Sequence, residues 1–361
     1  MKRFTIDLDT RDLRERLHRT RWPEHATFGG GLPSDEMREI VRYWAGDFDW
    51  RRQQARLNEF EHFLADGIHF IRVRGDRDAI PLLLLHGWPG SFVEFLDVIP
   101  LLAGPFELVI PSLPGFGFSA KPDAPGMSTR AIAARFVSLM QQLGFARFLV
   151  QGGDFGAGIA TWMAVDHPDR LLGMHLNYIP GSYLPPPGAP LTPAEEAFQR
   201  DEARWRDESG AYGHVQRTRP LTLGYALNDS PAGLAAWLVE KFREWADPAS
   251  VPPLDNILTN VTIYWLTGTI LSSIRLYGEA AKTPLALTGR LRVPAAIARF
   301  PLEEPFPPRE WIERGYDVRR YTELPAGGHF AAMEQPALFA RDITEGASAL
   351  FRAPSAESPR R

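Results

Sequence analysis

One short segment combines a candidate nucleophile with the spacing that a strained turn requires. Residues 152–156 read Gly-Gly-Asp-Phe-Gly, after an apolar run at 148–150 and before small and apolar residues at 157–164. The pattern predicts a strand, a sharp turn at Asp154 and a helix, because only small residues fit two positions before and after such a turn. A carboxylate nucleophile forms an ester with an alkyl carbon. The chemistry indicated is therefore the opening of an epoxide or the displacement of a halide.

This spacing is that of the nucleophile elbow of α/β hydrolases, whose chain order is nucleophile, acid, histidine. His329, the last of nine histidines, lies in a Gly-Gly-His-Phe loop before the final predicted helix, so we expect it to be the catalytic base. The acid is expected between them, after a late strand. Glu303 and Glu304 occupy that place, and Asp317 is a weaker candidate because it opens a predicted strand. Such an acid would orient the imidazole and stabilise the imidazolium.

A second loop has the position of an oxyanion loop. Residues 86–91 read His-Gly-Trp-Pro-Gly-Ser and follow an early strand at 81–85. We expect the backbone N–H groups of Trp88 and Phe155 to point at the Asp154 carboxylate and later to hold the oxyanion. Pro89 has no N–H and cannot be a donor.

Other chemistries find little support in the sequence. Asp-Phe-Gly at 154–156 also occurs in kinases, but no His-Arg-Asp loop or glycine-rich phosphate loop accompanies it. The turn at 113–118 has too few glycines for a nucleotide loop, and no His-Glu-x-x-His metal motif is present. The chain has no cysteine and a net charge of −4, so thiolate chemistry is excluded and nucleic-acid binding is not favoured. We predict no cofactor and no metal.

Strand-like and helical segments alternate through the chain, which predicts a mostly parallel sheet flanked by helices, the α/β-hydrolase fold. Predicted strands lie at 68–73, 81–85, 106–110, 147–151, 171–176, 293–298 and 318–321. Predicted helices lie at 9–17, 38–64, 128–143, 156–166, 192–208, 231–245, 257–277 and 336–351.

The same pattern divides the 361 residues into three parts. Residues 1–75 are predicted to be a helical segment that wraps the core. Residues 76–180 and 288–361 form the α/β core, and residues 181–287 form a helical lid that begins with a Pro- and Gly-rich linker at 180–193. The tail at 352–361 is predicted to be disordered. The N-terminus is not a secretory signal and no apolar run is long enough to span a bilayer, so we predict a soluble, cytoplasmic protein without a membrane anchor.

Together these motifs resemble the microsomal-type epoxide hydrolases, which include the juvenile hormone epoxide hydrolases. The resemblance covers nearly the whole chain. It includes Arg-Trp-Pro at 21–23, Gly-Ile-His-Phe at 67–70, the oxyanion loop, the elbow, and Gly-Gly-His-Phe-Ala-Ala at 327–332. Phe-Pro-Leu-Glu at 300–303 matches the family's Phe-Pro-x-Glu acid motif, which favours Glu303 over Glu304. The family's membrane-bound members carry an N-terminal anchor helix that this sequence does not show, so the resemblance implies a soluble bacterial-type member.

The resemblance also implies residues that the spacing alone does not single out. The segments at 208–216 and 272–277 are similar to those that carry the family's two lid tyrosines, which makes Tyr212 and Tyr277 the expected acid catalysts. Ala211 is an apparent insertion before Tyr212, and Phe155 stands where Trp is common. Since only the backbone N–H of Phe155 is needed, the site should tolerate that difference. The implied activity is hydrolysis of an apolar epoxide to a vicinal diol, in detoxification or secondary metabolism.

Two alternatives remain open at this point. A haloalkane or haloacid dehalogenase would use the same Asp, His and acid, but would need halide-binding donors in place of the lid tyrosines. A non-catalytic binding protein on an inactivated hydrolase fold is disfavoured. In such a protein, evolutionary drift would be expected to have replaced one of Asp154, Glu303 and His329. The expected partners are a small apolar epoxide and water. The sequence leaves a homo-oligomer open.

Overall fold

The protein is described by a computed structural model that covers residues 1–23, 30–180 and 189–351. Its strands form a single sheet. They are β1 (Lys2–Phe4), β2 (His62–Ala65), β3 (Ile68–Val73), β4 (Ile80–Leu85), β5 (Phe106–Pro111), β6 (Phe148–Gly152), β7 (Leu171–Leu176), β8 (Pro294–Arg299) and β9 (Asp317–Glu323). Within the described ranges the sheet has nine strands in the order β1-β2-β3-β5-β4-β6-β7-β8-β9.

The sheet is parallel from β5 to β9 and antiparallel at the β1-β2-β3 edge, where β3 also pairs antiparallel with β5. The central strand β4 reads Ile-Pro-Leu-Leu-Leu-Leu, and its last four residues are buried. A continuous apolar run is what a strand needs when helices cover both faces of the sheet. The predicted α/β-hydrolase fold is confirmed.

Helices cover the sheet and form a block between β7 and β8. The α-helices are α1 (Arg11–His18), α2 (Ser34–Ala45), α3 (Trp50–Leu57), α4 (Ile99–Leu102), α5 (Thr129–Gln142), α6 (Asp154–Asp166), α7 (Pro193–Glu208), α8 (Ala211–Thr218), α9 (Pro220–Asp229), α10 (Pro231–Glu244), α11 (Leu254–Thr267), α12 (Ile270–Lys282), α13 (Arg309–Gly315), α14 (Ala331–Glu334) and α15 (Pro336–Leu350). Short 3-10 helices occupy Phe92–Phe95 and Pro168–Arg170. Helices α7 to α12 lie in the predicted lid.

The N-terminal part differs from the helical segment that the sequence predicts. Residues 62–64, placed at the end of a helix, belong instead to β2, which pairs with β3 through Phe63 and Phe70. Lys2–Phe4 extends the same sheet as β1. The sequence did not reveal the switch from helix to strand, because residues 38–64 are Trp- and Arg-rich throughout and helix α3 ends only a few residues before β2 begins.

The single helix predicted at 257–277 is wrong. Helix α11 ends at Thr267, and Gly268 caps it in the left-handed conformation with φ of 59°. Glycine adopts that conformation without steric cost, so it ends a helix readily. Helix α12 then continues at an angle of 93° to α11. Across the described ranges, no single helix is long and apolar enough to cross a membrane, and only this bent pair meets those criteria jointly.

The N-terminal helix α2 contacts helix α11 of the helical block between β7 and β8. The Trp44 indole on α2 donates a hydrogen bond to Thr262 Oγ1 on α11, at 2.9 Å. The Tyr43 hydroxyl donates to Asp255 Oδ1 at the start of α11, at 2.7 Å. These contacts fix α11, which in turn holds the loop that carries Trp88.

The division into N-terminal segment, core and lid stays a prediction. The linker predicted at 180–193 lies partly outside the described residues, which exclude 181–188. The tail predicted to be disordered at 352–361 lies wholly outside them.

Candidate active site

Asp154 lies in the strained turn that the spacing predicts, between β6 and α6. Its φ of 46° is in the left-handed region, which for a residue other than glycine costs about 1–3 kcal/mol. The flanking glycines make the turn feasible. A Cβ on Gly156 would lie 2.2 Å from the Leu85 carbonyl oxygen, and one on Gly152 would lie 2.4 Å from the Gly156 backbone. The turn therefore presents a carboxylate at the N-terminus of α6, where the helix dipole favours negative charge.

The loop after β4 lies directly beside this turn, because Leu85 of β4 pairs in register with Gly152 of β6. The Trp88 backbone N–H donates to Asp154 Oδ1 at 2.9 Å, and the Phe155 N–H also donates to this carboxylate. Gly87 permits the close approach, since a Cβ there would lie 2.1 Å from Asp154 Oδ1. Both expected oxyanion donors are thus in contact with the carboxylate.

Helix α11 supports this loop from the lid side. The Asn260 side-chain amide donates to the Pro89 carbonyl at 2.7 Å, and the Tyr264 hydroxyl donates to the Gly90 carbonyl at 2.9 Å. Both side chains are buried. They orient the backbone that presents the Trp88 N–H, a role that sequence reasoning did not assign to them.

His86 gives this loop a pH-dependent stability. Its buried ring bonds to the Gly87 carbonyl through Nδ1, at 2.9 Å, and accepts from the Leu113 N–H through Nε2, at 3.2 Å. Burial lowers the pKa of His86 from 6.5 to about 4. Because the unfolded chain takes up this proton first, the free energy of unfolding should fall as the pH drops from 6.5 towards 4. The largest contribution is roughly 3 kcal/mol.

Urea unfolding at a series of pH values between 7.5 and 4.5 measures this effect. The slope of unfolding free energy against pH should become shallower in His86→Gln than in the unmodified protein. An identical slope in the two proteins would contradict the assignment. The buried neighbours His62 and His69, whose pKa values burial also lowers, would then carry the acid sensitivity.

His329 and Glu303 come together with Asp154 from two separate loops. His329 Nδ1 bonds to Glu303 Oε2 at 2.9 Å, and His329 Nε2 lies 3.9 Å from Asp154 Oδ2. Glu303 is 4% exposed. The other two acid candidates pair with arginine side chains instead. Glu304 is half-exposed and pairs with Arg299, whereas Asp317 pairs with Arg290 and Arg319.

The histidine loop is fixed by contacts that the sequence did not indicate. The His329 backbone N–H donates to the Trp245 carbonyl at 2.9 Å. The carboxylate of Glu334 accepts from the backbone N–H groups of Asp247, Gly328 and Phe330 at 2.7–2.8 Å. The His329 loop is therefore anchored both to the residue that follows α10 in the predicted lid and to the last residue of α14.

The charges of the site are strongly coupled. Burial raises the pKa of Asp154 above its usual range, while His329 and the two N–H donors partly offset that effect. Burial opposes protonation of His329, yet Glu303 and Asp154 together raise the pKa of His329 to about 9. At neutral pH the resting His329 is therefore mainly an imidazolium, held between the carboxyl groups of Glu303 and Asp154.

The two tyrosines implied by the resemblance lie together over the oxyanion loop. Tyr212 on α8 stacks on Trp88, with ring centroids 5.5 Å apart. Tyr277 on α12 contacts Trp88 and Phe155 edge to face, at 5.8 and 4.8 Å. The two phenols are hydrogen-bonded to each other, and burial raises both pKa values. They remain protonated donors across the neutral range.

A cavity of about 630 Å³ opens onto Asp154 and His329 from beneath the lid. Much of its wall is aromatic, and its charged residues include Glu202 and Arg206, which form an ion pair on α7. The aromatic lining comprises Tyr178, Phe198, Trp205, Tyr212, Trp245 and Trp311. Apart from Tyr212, the sequence analysis named none of these, because nothing local distinguishes a cavity aromatic from a packing one. The described residues contain no cluster of three His, Asp or Glu side chains that could hold a metal ion.

The fold and this constellation define an α/β hydrolase whose elbow carries a carboxylate. The family described as "Epoxide hydrolase N terminus" matches residues 1–95, and the family "alpha/beta hydrolase fold" matches residues 80–295. The chain is 37% identical to epoxide hydrolase 1 of Oryctolagus cuniculus, over 94% of this chain and 86% of that protein. It is 37% identical to juvenile hormone epoxide hydrolase 1 of Ctenocephalides felis, over 89% of this chain and 78% of that protein.

A solved structure leads to the same family as these relatives. The epoxide hydrolase of Aspergillus niger superposes with a TM-score of 0.87 at 31% identity, covering 97% of this chain and 96% of that one. The chain belongs to the microsomal-type epoxide hydrolase family. The predicted family is confirmed, and the dehalogenase alternative is not favoured.

Proposed function

We propose that this protein hydrolyses an apolar epoxide to a vicinal diol through a covalent ester on Asp154. The observation that carries the proposal is the asymmetric environment of the Asp154 carboxylate. Oδ1 accepts from the Trp88 N–H, with Phe155 as a second donor to the carboxylate, whereas Oδ2 lies towards His329 at 3.9 Å. One oxygen is held for oxyanion chemistry and the other is free to attack carbon.

In the first step Asp154 Oδ2 attacks one ring carbon of the epoxide. The C–O bond of the strained ring breaks, and the departing oxygen receives hydrogen bonds and a proton from the Tyr212 and Tyr277 pair. The elevated pKa of both phenols favours this role, because they stay protonated until the alkoxide develops. A carboxylate needs no base to activate it, so His329 is not consumed in this step.

In the second step water hydrolyses the ester at the Asp154 carboxyl carbon. His329 takes a proton from the water, and the oxygen of that water bonds to the carboxyl carbon. The N–H groups of Trp88 and Phe155 stabilise the oxyanion, and Glu303 stabilises the imidazolium. The bond to the alkyl oxygen then breaks, that oxygen takes the proton back from His329, and the diol leaves with an oxygen that came from Asp154. The proton left on the Asp154 carboxyl group passes to His329 and restores the resting site.

Esterification itself prepares His329 for this second role. In the free enzyme the negative charges of Glu303 and Asp154 raise the pKa of His329 to about 9. The ester is uncharged, so one of those two attractions disappears when it forms. The imidazolium then loses its proton more readily. That proton replaces the one that the tyrosine pair gave to the alkoxide, and the neutral base becomes available after ring opening.

Substrate comparison tests the reaction class directly. We expect turnover of styrene oxide to its diol and none of a chloroalkane of similar size, because the lid offers two phenol donors to an epoxide oxygen. Chiral chromatography of the diol and halide release measure the two reactions. Halide release without diol formation would support the dehalogenase instead, and ligand binding without turnover of any epoxide would support a non-catalytic protein.

The lid tyrosines give a prediction of their own. In the double variant Tyr212→Phe with Tyr277→Phe, ring opening should slow by roughly 10²- to 10⁴-fold, since no acid remains to protonate the alkoxide. Each single variant should lose less, because the partner phenol persists. Stopped-flow measurement of ester formation on the enzyme separates this step from hydrolysis.

The matched control for this pair is Tyr225→Phe on α9, whose side chain is 73% exposed. It should leave both steps unchanged. A double variant that forms the ester at the rate of the unmodified enzyme would show that the acids were misassigned.

The apolar character of the substrate is inferred from the aromatic cavity wall, which suits an apolar, aryl-bearing epoxide. A cytoplasmic location, a role in detoxification or secondary metabolism and a homo-oligomeric assembly stay predictions from the sequence.

A further inference from the structure

A second, much smaller cavity shares Asp154 and His329 with the substrate cavity. Its volume is about 20 Å³, and its polar side chains include Glu94, Gln151 and Asn177. A space of this volume accommodates one water molecule when two or more polar groups line it. The reaction assigned above consumes one water at the atoms that border this cavity.

Gln151 supplies an acceptor that no other group uses. Its side chain is 1% exposed, and its Nε2 donates to Asn177 Oδ1 at 2.8 Å. Its Oε1 has no hydrogen-bond partner among the described residues. A buried acceptor without a donor is unfavourable, and a water in the adjoining cavity supplies that donor.

Glu94 lies in the 3-10 helix Phe92–Phe95, and its side chain lines this second cavity. Its carboxyl group packs on the oxyanion loop so tightly that a Cβ on Gly90 would lie 1.5 Å from Glu94 Oε1. The carboxyl group of Glu94 interacts electrostatically with both Asp154 and His329. Burial raises the pKa of Glu94 to about 8, so at neutral pH the group is mainly an acid that can donate and accept.

We propose that this cavity binds the water that hydrolyses the Asp154 ester, and that Glu94 and Gln151 position that water for His329. The water donates one proton to His329 Nε2, and its oxygen forms the new bond to the Asp154 carboxyl carbon. The bond from that carbon to the alkyl oxygen then breaks, and the alkyl oxygen takes the proton back from His329. Glu94 and Gln151 orient the water and exchange no net proton, so they are positioning residues. The inference rests on the proposed function.

The test is a single-turnover experiment on styrene oxide that measures ester formation and ester hydrolysis separately by rapid quench and mass spectrometry. In Glu94→Ala, ester formation should stay within a few-fold of the unmodified rate. Hydrolysis should slow by roughly 100-fold, the scale expected when a reactant is misplaced by about 1 Å. Glu94→Gln keeps the shape and hydrogen-bonding capacity and should recover most of the loss. Gln151→Leu should also slow hydrolysis selectively.

Asp97→Asn is the matched control. Asp97 is an exposed carboxylate three residues further along, paired with Arg56, and its loss should change neither step. Normal hydrolysis in Glu94→Ala, or a parallel fall in both steps, would overturn the inference. If Glu94→Ala does not fold, Glu94→Gln and Gln151→Leu decide: selective loss in Gln151→Leu supports the inference, and unchanged hydrolysis in Gln151→Leu contradicts it. If the unmodified enzyme forms no ester on Asp154, the proposed function fails instead.

Discussion

Replacing Asp154 with alanine is expected to abolish diol formation, with a loss on the order of 10⁶-fold, as for deletion of a nucleophile that acts within a catalytic unit. The physical reason is that the Asp154 carboxylate is the one that accepts from the Trp88 N–H while lying 3.9 Å from His329 Nε2. Glu303 is committed to His329 Nδ1 at 2.9 Å and cannot reach the attacking position. Diol release from styrene oxide, followed over hours, measures the residual rate.

The fold of Asp154→Ala should persist. The substitution removes a carboxylate whose raised pKa reflects unfavourable burial, so the unfolding midpoint should not fall by more than a few degrees. Asp166→Asn is the matched control, since Asp166 ends the same helix and pairs with Arg130 at the surface. Activity in Asp154→Ala comparable with that of Asp166→Asn would remove Asp154 from the mechanism.

The second large effect is expected in His329→Gln. Ester formation should continue, because the carboxylate needs no base, whereas hydrolysis should slow by roughly 10²- to 10⁴-fold, the usual contribution of a general base. The ester should therefore accumulate. Intact-protein and peptide mass spectrometry after one equivalent of styrene oxide should show the mass of the substrate added to the peptide that contains Asp154.

His167→Gln is the control for this variant, since His167 lies at the far end of α6. It should turn over normally and accumulate no adduct. Normal turnover in His329→Gln would mean that His329 is not the base. Loss of the ester itself in that variant would indicate that the imidazolium is needed to hold the Asp154 carboxylate ready for attack.

Local patterns in the sequence predicted much of this site because its chemistry depends on local backbone geometry. The turn at Asp154 requires glycine at 152 and 156, because a Cβ at either position would clash with the neighbouring backbone. The glycine spacing in the sequence therefore predicts the turn. The parallel strands were predictable for a similar reason, since burial on both faces demands a continuous apolar run such as that of β4.

Features that depend on packing across the fold were not predictable. Glu94 lies in the 3-10 helix that follows β4, and Gln151 lies in β6, the strand before the elbow. The pairing of β4 with β6 brings these two segments together. The anchoring of His329 by the Trp245 carbonyl depends on where the end of α10 packs against the core. Neither relation leaves a periodic or spaced signal in one sequence.

The lid shows both the value and the limit of the family resemblance. Tyr212 and Tyr277 would have been ordinary aromatic residues on periodicity alone, and the resemblance singled them out. The structure places their rings 5.9 Å apart, with Tyr212 on α8 and Tyr277 on α12, the helix that the sequence analysis had merged with α11. The break at Gly268 turns α12 by 93°, so the assumption of one continuous helix would have misplaced Tyr277.

The central claim is that Asp154 carries the substrate as an ester that water then cleaves at the carboxyl carbon. A single turnover in oxygen-18 water, with enzyme in excess over styrene oxide, tests it most directly. If the ester forms on Asp154, heavy oxygen will be found in the Asp154 peptide and none in the first diol released. Heavy oxygen in that first diol, with an unlabelled Asp154 peptide, would contradict it.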